Sequence, residues 1–203
     1  MENRRNFYKK EGYILAVSLC VGFLGVILIS MLFEREQRLQ REIAGEILRF
    51  HVLANSDSEE DQEEKLKVRD AVVRKLQPLL EKSSSREETE KILLQQMDMI
   101  EETAGTVVNS KKVKVSLTKD WFPEKTYGDC TFPSGEYRAL RIEIGEARGH
   151  NWWCVLYPGL CFIDTVHGVV TEEGKEKLEG LLEEETYDFI LHPHKIKVIF
   201  RWF

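Results

Sequence analysis

The first candidates for chemistry in this chain are its five histidines, its four cysteines and the carboxylates and amides near them. His192-Pro193-His194 places two imidazoles two positions apart, which on a strand means one face and the beginning of a metal pair. No third ligand is specified. H-E-x-x-H, H-x-x-x-H and C-x-x-C are absent, as are G-x-S-x-G, a P-loop and a dinucleotide fingerprint. The sequence therefore implies no metal, no cofactor and no catalytic set. His150 precedes Cys154 by four residues, but Cys–His catalysis depends on proximity in space. Cys154 also has a structural reading. Pro158-Gly159 lets the chain turn back between Cys154 and Cys161, making that pair the disulfide candidate. Two buried free thiols would serve as well, and Cys130 could partner either. Cys20 lies in an apolar run, where cysteine acts as a small hydrophobe.

Two clusters remain as partner-binding candidates. Arg49, His51, Asn55 and Asp57, with Gln62 beyond them, gather where a strand ends and a helix begins. His150, Asn151, Trp152 and Trp153 follow Gly149. Strand alternation puts Arg49 and His51 on one face, opposite Phe50 and Val52, and sends Trp152 and Trp153 to opposite faces. One tryptophan can enter a core while the other faces outward as a binding anchor. A hydrolase built from His51, Asp57 and His150 is the alternative, and it needs all three in one open cleft.

The elements that hold these residues follow from periodicity. Ile47–Ala54 (ILRFHVLA) predicts a mostly buried strand, stopped by Asn55-Ser56-Asp57. Ser58-Glu59-Glu60-Asp61 predicts a capped helix start, and Ser85-Arg86-Glu87-Glu88 a second one running through Ile92, Leu93, Met99 and Ile100. Residues 112–117 alternate as a strand, and so do Leu140, Ile142 and Ile144. Residues 118–136, with two prolines and two glycines, read as a long loop. Trp152–Ile163 reads as a hairpin or tight loop around Pro158-Gly159, residues 172–185 as an acidic helix, and Ile196–Trp202 as a closing strand. The fold class is α+β: an N-terminal transmembrane helix, then one domain whose mixed or antiparallel sheet is covered by helices on one face.

Tyr13–Phe33 carries no charge and is long enough to cross the roughly 30 Å hydrocarbon core as a helix. Arg4, Arg5, Lys9 and Lys10 precede it and Glu34 follows, so the positive-inside bias puts the N-terminus in the cytoplasm. The run is longer than a signal peptide's apolar region and lacks small residues at a cleavage site, so an uncleaved signal anchor is expected. Residues 1–12 form the cytoplasmic flank, 13–33 the anchor, 34–46 a helical stalk and 47–203 the extracytoplasmic domain. The chain's formal charge is −6, and with residues 1–33 at +2 the remainder carries −8, which argues against nucleic acid as a partner.

RFHVLANSDSEEDQEEKLKVRDAV (49–72), YGDCTFPSGEYRALRIEIGEARG (127–149) and GHNWWCVLYPGLCFID (149–164) resemble stage II sporulation protein R of endospore-forming Firmicutes. The resemblance implies a signalling protein made in the forespore, single-pass in the forespore membrane. Its C-terminal domain would lie in the space between forespore and mother-cell membranes. There it would activate a membrane-embedded aspartic protease of the mother cell, which processes the precursor of a sigma factor. The family supplies no catalytic residues to carry over, so a non-enzymatic activator is expected.

Overall fold

The structure, a computed structural model, describes residues 2–108, 111–162 and 170–193. The strand expected at Ile196–Trp202, and His167 and His194, lie outside the described residues. The chain divides into two compact units, Met1–Leu39 and Gln40–Phe203. Helix α1 (Glu2–Glu46) supplies nearly all of the first. Its apolar side chains from Tyr13 to Phe33, among them Leu15, Phe23, Leu28 and Phe33, are exposed. An apolar helix with no protein packed on it suits hydrocarbon, and this one is long and apolar enough to cross a membrane.

The second unit is built on a four-stranded mixed sheet in the order β2-β5-β1-β6. Central strand β1 (Leu48–Leu53) runs parallel to β5 (Gly135–Ile144) and antiparallel to β6 (Asn151–Tyr157), while β2 (Val113–Phe122) pairs antiparallel with β5. All six residues of β1 are buried, because both faces of the sheet are covered. Leu48, Phe50 and Val52 pack with Leu140, Ile142 and Ile144 beneath α2 (Glu59–Leu80), α3 (Arg86–Gln95) and α4 (Met97–Gly105). The opposite face is covered too: it packs against Ile43 and Ile47 from the end of α1, the hairpin β3 (Lys125–Tyr127)–β4 (Cys130–Phe132), α5 (Glu172–Leu181) and α6 (Glu184–Leu191).

Local chemistry explains the helix starts. Ser58 caps α2 by accepting from Asp61 N, Ser85 caps α3 from Glu88 N, and Thr171 caps α5 from Gly174 N. The single helix expected from Ser85 is two, because Gln96 N donates to Leu93 O, three residues back, and the ladder restarts there. Residues 118–136 are not a loop. They hold the end of β2, the whole β3–β4 hairpin and the first residues of β5. Pro123 and Pro133 sit between strands, and Gly128, with φ +64°, makes the hairpin turn. Pro158-Gly159 leads into a 3-10 turn at Leu160–Phe162, with no returning strand in the described residues.

Candidate functional site

The loop after β1 and the loop before β6 are fastened together by nearly every polar residue singled out between them. Ser56 Oγ donates to Asp61 Oδ2 at 2.5 Å and Asn55 Nδ2 donates to the same oxygen at 2.8 Å. Asn55 Oδ1 accepts from Glu146 N at 3.0 Å, while Gln62 Nε2 donates to Ser56 O at 2.9 Å. Lys65 Nζ donates to Gln62 Oε1 and to His150 O at 2.9 Å. Asp57 Oδ1 accepts from His150 N at 2.6 Å and also faces His150 Nδ1. Lys111 closes the group with ion pairs to Asp61 (2.9 Å) and Glu64 (2.8 Å).

The electrostatics follow from these bonds. Donation from Ser56, then Asn55 and Lys111, holds the Asp61 carboxyl well below the usual range, and the His150 backbone N–H does the same for Asp57. Glu64 and Asp61 push the Lys111 ammonium up. Asn55, Asp57, Gln62 and Lys65 therefore have a clear first task, which is to lock two loops whose backbones almost touch. Gly149 N donates to Ala54 O at 3.0 Å, and a side chain there would strike the Ser56 carbonyl. A Cβ at Gly145, whose φ is +58°, would strike the Asn55 amide. Because the obstacle at Gly149 is backbone, Gly149→Ala is expected to destabilise the chain by about 2 kcal/mol. A urea midpoint unchanged from the parent would show that the loops are not held this closely.

Arg49 and His51 lie on the opposite side of β1 from α2, and both are inside. Arg49 is 0% exposed. Its Nε donates to Cys154 O at 3.2 Å, and its guanidinium lies 4.6 Å from the Phe122 ring centroid, 5.2 Å from Tyr137 and 5.6 Å from Phe132. Nη1 and Nη2 have no hydrogen-bond partner, and no ion pair reaches Arg49 among the described residues. Burial lowers its pKa. In this conformation Arg49 cannot touch a partner. His51 is 2% exposed, its ring 5.0 Å from that of Phe122. Its Nε2 lies 3.2 Å from Asp120 Oδ2 without the alignment of a hydrogen bond. Asp120 is held instead by Arg141 Nη1 at 2.6 Å, and Arg141 Nη2 reaches Glu143 at 2.8 Å.

Burial pushes the His51 imidazole down to about 4, against the pull of Asp120 and with Arg141 and Arg49 adding to the fall. An unfolded imidazole titrates near 6.5, so between those values the unfolded chain binds a proton that the native ring refuses. Stability is therefore expected to fall as pH drops from 6.5 toward 4, by up to about 1.4 kcal/mol per pH unit from this group. His51→Phe should flatten that stretch of the stability curve in urea titrations at stepped pH. An unchanged slope would assign the ionisation to other groups.

Trp152 and Trp153 take opposite faces, and each is half-buried beneath a cation. The Trp152 ring meets Phe50 edge-on at 5.7 Å, with Arg69 5.1 Å above it. Lys125 Nζ lies 4.7 Å over Trp153, whose Nε1 is buried without a partner, and Tyr127 Oη donates to Trp153 O at 3.1 Å. Asn151 opens β6 opposite Leu53. Cys154 and Cys161 are joined as a disulfide, with Cα atoms 5.7 Å apart, so neither is a nucleophile. Cys130 is a buried free thiol pushed up to about 11 by burial and the Asp129 carboxylate.

Asp57 and His150 do meet, at the surface, with side chains 56% and 80% exposed. His51 does not join them: its neighbours are Phe122 and Asp120, inside the domain. The three do not form one open cleft. Among the described residues no three of His, Cys, Asp and Glu gather as a metal would require. Sequence reasoning missed Asp120, Arg141, Glu143 and Lys111, because they pair across the sheet or from a distant loop and leave no local signal. Asp61 was legible only as a cap.

The family model described as stage II sporulation protein R matches residues 44–167, which span both loops and all six strands. Stage II sporulation protein R of Bacillus subtilis (strain 168) is 34% identical over 190 residues, covering 87% of this chain and 85% of that protein. No solved structure matches. The residues that build the two-loop clasp, the caged arginine and the disulfide all fall inside the matched span, and the chain belongs to the stage II sporulation protein R family.

Proposed function

We propose that this sporulation protein is an exported, membrane-tethered signal. In this reading it is made in the forespore and held in the forespore membrane by residues 13–33, with the globular unit facing the mother cell. There the unit activates a membrane-embedded aspartic protease that trims a pro-sigma factor. Family membership is the observation that carries this reading. The apolar helix, the basic N-terminal flank and a disulfide, a bond that is rare on the cytosolic side of a membrane, support it. Asp57 and His150 meet without His51, which counts against the one hydrolase arrangement the sequence offered.

An effector acts by binding the active form of its target more tightly than the inactive form. A tenfold preference shifts the equilibrium by about 1.4 kcal/mol. The surface we assign to that contact is the exposed end of the two-loop clasp, with His150, Asp57 and Asn151, and the neighbouring Trp152. The test is co-expression of this chain with the candidate protease and its precursor in a host that does not sporulate. Trimmed sigma factor is expected only when this chain is present. Trimming in its absence, or none in its presence, would end the proposal.

A further inference from the structure

A second surface lies apart from the clasp. A cavity of about 540 Å³ is lined by Arg41, Arg86, Lys119 and Arg138, with Glu90 and Glu136 as the only acids. Arg138 is paired with Glu90 at 3.1 Å and Arg86 with Glu87 at 2.8 Å, which leaves the exposed Arg41 and Lys119 as the uncommitted cations. In a chain of net charge −6 this concentration of bases is out of character. Beside it stands Trp121, 63% exposed and the one aromatic among the exposed large hydrophobics of the described globular unit. The register fixes this adjacency. Lys119 pairs with Arg138 and Trp121 with Glu136 across β2 and β5, so all four share one face of the sheet.

From this we infer that the cavity and Trp121 form a docking site for the phosphate headgroup of an anionic phospholipid, on the outer surface of the bilayer that α1 crosses. Bases at the level of the phosphates with a tryptophan beside them are the pairing found where proteins rest on membranes. An acidic peptide would satisfy the charge equally, but the tether selects the lipid. Arg41 follows Phe33 by only eight residues, so even fully extended chain keeps it within about 29 Å of the end of the apolar run. The bilayer is thus always in reach, at an effective concentration no free partner matches.

The inference rests on the membrane-spanning reading of α1 and not on the protease. The full chain is reconstituted into vesicles of phosphatidylcholine, with or without phosphatidylglycerol brominated high on its acyl chains, and flotation checks insertion. Tryptophan quenching is expected only with the brominated anionic lipid, and Trp121→Phe should remove it. Arg41→Gln with Lys119→Gln, both on exposed side chains, should lower the docked-to-undocked ratio about 30-fold while the thermal melt stays put. Inorganic phosphate in solution should not compete; if it does, the site takes a free anion and the lipid assignment fails. Equal quenching from brominated phosphatidylcholine, quenching unchanged in the double variant, or none in a chain that floats would each overturn the site. A chain that does not float with neutral vesicles removes the span, and this inference with it.

Discussion

Arg49→Ala is expected to destabilise the globular unit by about 3–5 kcal/mol, the range for emptying a large buried side chain. Its guanidinium fills the space among Phe122, Phe132 and Tyr137. With domains stable by about 5–15 kcal/mol, such a loss leaves a marginal fold. Loss of signalling should then track loss of helical circular dichroism, since a residue at 0% exposure is not a contact residue. Arg49→Met supplies the contrast. Among the described residues no carboxylate pairs with Arg49 to be stranded by removing the charge, and replacing a buried ionic group with a well-packed hydrophobe is often neutral or better. Met should keep most of the stability that Ala loses. An Ala variant as stable as the parent would show that the ring cage does not depend on this side chain. A stable Met variant that no longer signals would instead give the charge itself a functional part.

Reducing the Cys154–Cys161 disulfide, or replacing both cysteines with serine, is expected to cost about 2 kcal/mol through the freedom returned to a short loop in the unfolded chain. For a unit of this size that lowers the melting temperature by roughly 4–8 °C. Without reductant, a maleimide should label only Cys20 and Cys130 after denaturation. Labelling of Cys154 in protein taken from its working compartment would mean the bond is not formed there.

Both caps of the long helical layer, Ser58 and Ser85, were readable because a cap is a contact between residues three apart. The strands around Leu140 and Val113 were readable because their alternation is local too. Residues 118–136 misled because proline and glycine punctuate strands as well as loops; here Pro123, Gly128 and Pro133 separate short strands that Thr126, Tyr127, Thr131 and Phe132 favour. Arg49 misled for another reason. Alternation shows that Arg49 and His51 share a face, but whether that face meets water depends on α5, α6 and a hairpin far along the chain. The Asp57–His150 contact joins residues 93 apart, and no spacing announces it.

Strand β1 sits at the centre of the sheet, yet its two neighbours arrive last, with Arg49 beside Ala139 on one edge and Val155 on the other. A chain emerging N-terminus first has synthesised its middle strand roughly ninety residues before anything can pair with it. Until β5 and β6 appear, α2, α3 and α4 have no finished sheet to cover. The sheet therefore closes late in synthesis, and the first half of the unit stays open until the second half has been made.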